Sequence, residues 1–233
     1  MKKYYAMETK ENEAELTIFG DITSWPWLES DISSYNLSRQ IKDLDVDTIH
    51  VHINSYGGEV SEGLAIYNSL KQHKAKVRTY CDGFACSIAS VIFMAGDERV
   101  MSNASMLMVH NPWTYTEGNA QELRKTAADL DKMSQASVNA YMERVGITEE
   151  EVKQLLDEES WLLPSEALDY GFATSVTGAE PQAKYSQSVR KHVMQKLLAR
   201  QPEPTPEPIT DPEPKPEEKT LMNLFKGVAR KEG

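Results

Sequence analysis

A ten-residue stretch near the middle of the chain, residues 81–90 (CDGFACSIAS), places the strongest constraint on the fold. The residues before it, 75–80, alternate and include β-branched side chains, which predicts a strand. The residues after it, 88–95, carry no charge and no helix breaker, which predicts a buried helix of about two turns. Asp82-Gly83 predicts a sharp bend between the two. Ser87 is therefore expected in the first turn of a helix, where unpaired backbone N–H groups favour a developing negative charge.

Two interpretations of Ser87 remain open on spacing alone. A serine beside a backbone donor at a strand–helix turn suits nucleophilic attack in acyl transfer. A small serine packed at the start of a buried helix would have the same local sequence, because strand–glycine–serine–helix turns serve many purposes. The local pattern therefore indicates a candidate nucleophile without excluding a purely structural serine.

Strands and helices alternate along most of the chain. This alternation predicts parallel strands joined by crossover helices, which is an α/β domain. Strands are predicted at 16–20, 48–53, 99–101 and 106–110, with an extended segment at 159–163. Helices are predicted at 37–44, 61–73, 119–145, 148–156, 165–170 and 188–200.

Three further places on or directly after predicted strands have residues that could take part in binding or catalysis. Gly57-Gly58 follows the strand at 48–53, but the stretch lacks both the G-x-G-x-x-G pattern and the lysine of a P-loop, so we expect no nucleotide there. A double glycine also lets a backbone N–H point into a cleft. His110 ends a strand just before Asn111-Pro112, which suits either a working residue or a hydrogen-bonded edge histidine. His50 and His52 share one strand face without a third ligand at suitable spacing, so no metal site is predicted.

Composition limits the possible partners. The chain has 233 residues, is 40% hydrophobic, and has a net charge of −11, which argues against a general nucleic-acid or anionic-membrane surface. No apolar run is long enough to span a bilayer, and Met1-Lys2-Lys3 leads into polar residues rather than a secretory signal. Cys81 and Cys86 are the two cysteines of the chain. We expect free thiols in a cytoplasmic protein.

The C-terminal part differs in composition from the rest. We expect a folded domain over 1–178, a helix over 179–200, a Pro/Glu-rich linker over 201–219 and a short amphipathic segment over 220–233. The linker composition is typical of an extended, disordered spacer. Its end segment has two open interpretations, a docking helix on a tether or a frayed terminus. The apolar residues of that segment are Leu221, Leu224, Phe225 and Val228.

Taken together, four motifs resemble the Clp protease proteolytic subunit (ClpP) family over residues 14–177. They occur in the order and at the spacing of that family: 53–58 (INSYGG), 83–90 (GFACSIAS), 106–112 (MLMVHNP) and 166–171 (EALDYG). Residues 19–22 and 111–113 are similar to the phage-encoded branch, the head maturation (prohead) proteases. The resemblance implies a ClpP/crotonase fold, with repeated ββα units and a projecting helical handle at 120–145.

The resemblance also implies roles for particular residues. Ser87 would be the nucleophile and His110 the general base, with Glu159 at the position where the family has an aspartate. The backbone N–H groups of Gly57 and Ile88 would form the oxyanion hole. No cofactor or metal is implied.

Partners and substrates follow from the same resemblance. It implies a homo-oligomeric ring, a heptamer or double heptamer, that cleaves phage capsid or scaffold proteins in the host cytoplasm. No axial-loop signature for an unfoldase ring is visible, so we expect ATP-independent cleavage. Tyr56 stands where the family commonly has a proline. The sequence therefore does not establish how rigid the loop around Tyr56 is. Two rival functions remain, a crotonase-type acyl-CoA enzyme and a non-catalytic ring subunit.

Overall fold

The structure is a computed structural model that describes residues 7–25 and 33–177. This part of the chain contains eight strands and six helices, which alternate from β2 to β5. The strands are β1 (Met7–Lys10), β2 (Glu13–Phe19), β3 (Thr48–Ser55), β4 (Lys76–Cys86), β5 (Glu98–Ser102), β6 (Met106–Val109), β7 (Ser160–Leu162) and β8 (Ser175–Thr177). The helices are α1 (Ser34–Lys42), α2 (Val60–Lys71), α3 (Ile88–Phe93), α4 (Ala120–Met142), α5 (Glu149–Asp157) and α6 (Pro164–Tyr170).

The strands form one mixed sheet whose central part is parallel. β2, β3, β4, β5 and β8 are parallel neighbours in that order, and β1 pairs antiparallel with β2. Helices α1, α2 and α3 follow β2, β3 and β4 in turn, as expected for crossover connections in an α/β domain. The predicted α/β class is confirmed, and the arrangement is consistent with the ClpP/crotonase fold.

Strand β4 is longer than predicted because it changes neighbours halfway. Its first half pairs with β5 from Arg78 to Cys81, and its second half pairs with β6 from Phe84 to Cys86. The predicted bend at Asp82-Gly83 is therefore wrong. Gly83 instead gives room to Asn54, whose side-chain oxygen would lie 2.5 Å from a Cβ at that position. The change of neighbours carries β4 onward to Ser87, beside the end of β6.

The two histidines of β3 lie on the polar face of the sheet, as expected from their spacing. His50 Nδ1 is 3.0 Å from the Tyr80 hydroxyl, and His52 Nδ1 is 2.7 Å from Asp82 Oδ2. The His52 ring stacks on Tyr80 with 4.5 Å between the ring centroids. In the described ranges, no three or more histidine, cysteine, aspartate or glutamate side chains lie together so that they could hold a metal ion.

Helix α4 packs against helices α3 and α5, and its buried residues lie near its C-terminal end. Its buried residues are Ser137, Val138, Ala140 and Tyr141, whereas Leu123 and Met133 are exposed. The Tyr141 hydroxyl is 2.7 Å from Ser90 Oγ in α3, in a fully buried contact. The N-terminal part of α4 thus projects as a helical handle, while its other end is fastened beside the candidate nucleophile.

The predicted C-terminal boundaries are not tested by the structure. The segments 179–200, 201–219 and 220–233 lie outside the described residues. Over 7–25 and 33–177, none of the helices has the length and apolar character needed to cross a membrane.

Candidate active site

Ser87 lies between β4 and α3 in a backbone conformation that residues other than glycine rarely adopt. Its φ is 55° and its ψ is −128°. Hydrogen bonds hold this peptide in place: the Ser87 N–H donates to the carbonyl of Met108 at 2.9 Å, and the Ser87 carbonyl accepts from the backbone N–H and the hydroxyl of Ser90. Such strain persists only where the surroundings fix it, and it is concentrated at functional sites. The turn presents the Ser87 side chain at the rim of a cleft.

His110 lies directly against Ser87. The distance between His110 Nε2 and Ser87 Oγ is 2.7 Å. The sheet brings them together because β6 pairs with the second half of β4, with Cys86 opposite Met108. Burial lowers the pKa of His110 below its ordinary value, although the Glu159 carboxylate opposes this effect. A neutral imidazole is the form that accepts a proton from the serine hydroxyl.

Glu159 lies in the turn between α5 and β7, with a φ of 49°. β7 pairs antiparallel with β6, with Ser160 opposite Val109, and continuing that register places Glu159 opposite His110. Its charge acts on the pKa of His110, but among the described residues no hydrogen bond joins the two side chains. The neighbouring acid Asp157 accepts a hydrogen bond from Asn111 instead. The structure thus brings Glu159 within electrostatic range of the pair.

The backbone donors near Ser87 differ from those expected. The Gly57 N–H donates to Ser55 Oγ at 3.0 Å, which conflicts with the predicted role of Gly57 in an oxyanion hole because this donor is already used. Gly57 instead allows a close approach, since a Cβ there would lie 2.8 Å from Ser87 Cβ, and its φ is +100°. In the described ranges the N–H groups of Gly58 and Ile88 have no hydrogen-bond partner. Sequence reasoning missed Gly58, because the two glycines are distinguished only by the bond to Ser55.

An open cleft of about 1090 Å³ runs past Ser87 and His110. One wall is helix α4, the other is the loop around Gly57-Gly58, and the lining is mostly apolar. Its larger apolar lining residues are Ile22, Val60, Leu64, Met108, Trp113, Leu130 and Met133. The Ser87–His110 pair therefore lies in a concave, mostly apolar site.

Ring contacts hold the loop in which Tyr56 replaces the family's proline. The Tyr56 ring lies 5.5 Å from the Phe84 ring, and Phe84 lies 5.8 Å from Trp161 of β7, measured between centroids. Aromatic pairs at these separations are stabilising beyond the area they bury. The Tyr56 side chain, 67% exposed, therefore links the loop to β4 and β7 at the cleft rim.

Comparisons with known proteins agree with this geometry. Residues 37–180 match the family model described as Clp protease. An ATP-dependent Clp protease proteolytic subunit of Deinococcus radiodurans is 35% identical over 130 residues, which are 55% of this chain and 64% of the relative. The protein of the same description from Chlorella vulgaris is 33% identical over 130 residues, 55% of this chain and 65% of the relative. The matched region thus spans less than two thirds of either relative. Because the family model covers more than half of the chain and includes both Ser87 and His110, the chain belongs to the Clp protease family.

Proposed function

We propose that this protein is a serine peptidase of the Clp type in which Ser87 is the nucleophile and His110 the general base. The observation that carries the proposal is the 2.7 Å contact between Ser87 Oγ and His110 Nε2 at a strained strand–helix turn. Membership of the family and the position of the pair in an open, apolar cleft support it. Glu159 is proposed as the acid that stabilises His110 when it becomes charged.

The acylation step uses these groups in turn. Ser87 Oγ attacks the carbonyl carbon of a peptide bond while His110 Nε2 takes the hydroxyl proton. The negative charge that develops on the carbonyl oxygen is proposed to be held by the free N–H groups of Gly58 and Ile88. One such donor is worth about 3 kcal/mol of the barrier. The imidazolium then returns its proton to the leaving amine, and the C–N bond breaks.

Deacylation repeats the sequence with water. His110 takes a proton from a water molecule, whose oxygen attacks the Ser87 ester, and the proton passes to Ser87 Oγ as the ester bond breaks. The negative charge of Glu159 stabilises the imidazolium in both acylation and deacylation. The lowered pKa of His110 keeps the imidazole neutral, and so ready to act, at neutral pH.

A fluorophosphonate probe and a fluorogenic peptide test the proposal. Both the labelling and the hydrolysis should be present in the native protein and absent in Ser87→Ala and His110→Ala. Ser61→Ala is the matched control, because Ser61 is an exposed serine that lines the same cleft without contacting His110. Retained hydrolysis in purified Ser87→Ala would falsify the assignment. Labelling that is lost equally in Ser61→Ala would show that the probe reports on the cleft and not on Ser87.

We further propose that the natural substrates are capsid or scaffold proteins of a phage, cleaved without ATP by a homo-oligomeric ring in the host cytoplasm. The similarity of residues 19–22 and 111–113 to the head maturation proteases supports this proposal, as does the lack of an axial-loop signature. Purified protein should process the capsid or scaffold protein encoded near its gene, with no nucleotide added. Cleavage that requires ATP and an unfoldase would refute the ATP-independent part, and an intact capsid protein would refute the substrate.

A further inference from the structure

Asn111, the residue after His110, makes two side-chain hydrogen bonds to two different helices. Its Nδ2 donates to Asp157 Oδ1 at 2.7 Å, at the last residue of α5. Its Oδ1 accepts a hydrogen bond from Ser134 Oγ in α4. One amide therefore connects the end of strand β6 with both α4 and α5.

The bond to Asp157 lies next to the turn that carries Glu159. The turn is tight, because the Glu159 N–H donates to the Leu156 carbonyl at 3.2 Å and the φ of Glu159 is 49°. On its far side the chain is held by β7, where Ser160 pairs with Val109 of β6. Asn111–Asp157 is the corresponding tie on the near side. Together the two ties enclose Glu159 and fix its distance from His110.

We propose that Asn111 is a positioning residue for the Ser87–His110 pair, because its amide fastens the turn of Glu159 and the helix α4 to the end of the strand that carries His110. This inference rests on the proposed peptidase function. Asn111 touches neither the reacting atoms nor Ser87 in any described contact, and it acts through the placement of Glu159. Without the amide, the end of α5 loses its hydrogen bond to the residue after His110, and the turn that carries Glu159 is free to shift relative to the imidazole.

The charges around His110 indicate what such a movement would change. Glu159 is the charged group that raises the pKa of His110 against the effect of burial. Two of the acids that line the cleft are engaged elsewhere: Asp129 of α4 pairs with lysines of its own helix, and Glu59 accepts hydrogen bonds from the hydroxyl groups of Thr23 and Ser24. Asp21 also lines the cleft, but it does not contribute to the pKa shift of His110. Asp157 itself is bound to Asn111. Loosening the turn therefore weakens the support that Glu159 gives to the imidazolium.

The test compares variants that break the tie with variants that keep it. Asn111→Ala and Asp157→Ala each remove the bond, and Asp157→Asn retains an acceptor oxygen of the same reach. Gln135→Ala is the matched control, because Gln135 Nε2 donates to Glu149 Oε1 at 3.2 Å and so joins α4 to α5 without reaching β6. The measurements are kcat and KM on one peptide across pH, and the titration of the His110 imidazole by NMR.

We expect Asn111→Ala and Asp157→Ala to lower kcat by up to about 10²-fold with little change in KM, the scale for a small misplacement of a catalytic group. In both variants the pKa of His110 should fall further below its value in the native protein. The double variant should be no worse than either single one, since both remove the same bond. Asp157→Asn and Gln135→Ala should behave like the native protein.

An unchanged His110 titration in Asn111→Ala, or losses in kcat that multiply in the double variant, would overturn the inference. These outcomes are distinct from a failure of the proposed function. If the native protein neither hydrolyses peptides nor reacts with a fluorophosphonate, the peptidase proposal fails. The NMR titration still decides in that case whether Asn111 sets the environment of His110.

Discussion

The strained conformation of Ser87 leads to an unusual expectation for stability, namely that glycine should be better tolerated than alanine at this position. With φ at 55° and ψ at −128°, Ser87 occupies a region that glycine enters freely and that side chains avoid. Such a conformation costs a residue with a Cβ about 1–3 kcal/mol. Glycine has a larger conformational entropy in the unfolded chain, which offsets about 0.4–1 kcal/mol of that gain. The net expectation is that Ser87→Gly is more stable than Ser87→Ala by about 1 kcal/mol.

The comparison is clean because both variants lack the hydroxyl group, so the lost contact with His110 cancels. Both also keep the backbone bond from residue 87 to the Met108 carbonyl. Urea unfolding followed by circular dichroism, at one protein concentration, measures the difference. With a slope of about 1–3 kcal/mol per molar urea, the midpoint of Ser87→Gly should be higher by roughly 0.3–1 M. A midpoint for Ser87→Gly at or below that of Ser87→Ala would refute the claim that strain is stored at this turn.

Other expectations concern Glu159, the pH dependence of hydrolysis, the residues after Arg200 and the oligomeric state. Glu159→Gln should lower turnover by about 10⁴-fold and Glu159→Asp only in part, whereas Asp157→Asn and Glu158→Gln should be near neutral; near-normal turnover in Glu159→Gln would mean that the site works as a dyad. Neutral His110 is the active form, and burial lowers its pKa. Peptide hydrolysis should therefore persist as the pH falls through the usual pKa range of histidine. A rate that is already halved at a pH above that range would contradict this expectation. Deleting the residues after Arg200 should leave folding and peptide cleavage intact, and a truncated protein that misfolds would move the domain boundary. The mass measured by sedimentation should be that of a homo-oligomeric ring. A fully active protein with the mass of a monomer at micromolar concentration would contradict this expectation.

Much of the site was predictable because it depends on local sequence and on strand order. Ser87 follows a strand and precedes a helix, and His110 ends the strand that pairs beside it, so both sites could be identified from patterns and from the family motifs. The predicted bend at Asp82-Gly83 failed for a tertiary reason. Glycine there accommodates the Asn54 side chain, and nothing in the local pattern distinguishes that use from a turn.

The remaining features depend on contacts that leave no mark in the sequence. Whether Gly57 or Gly58 offers a free N–H is decided by the Ser55 hydroxyl, and both glycines look alike in the chain. Asn111 has no pattern of its own, because its partner Asp157 lies far along the sequence. β1 and β8 are short and largely polar, so their hydrophobic pattern is too weak to predict a strand, and only pairing with a longer neighbour makes them one.

The position of β7 in the chain has a consequence for biosynthesis. β4 and β6 are close in sequence, so Ser87 and His110 can meet as soon as both strands have left the ribosome. β7, which carries the turn of Glu159 to the edge of β6, is made only after α4 and α5. A chain interrupted before residue 159 would hold the serine and the histidine, but it would lack the proposed acid Glu159, and the edge of β6 would be open to pairing with other chains. We therefore expect incomplete synthesis to produce a weakly active, aggregation-prone fragment instead of an uncontrolled peptidase.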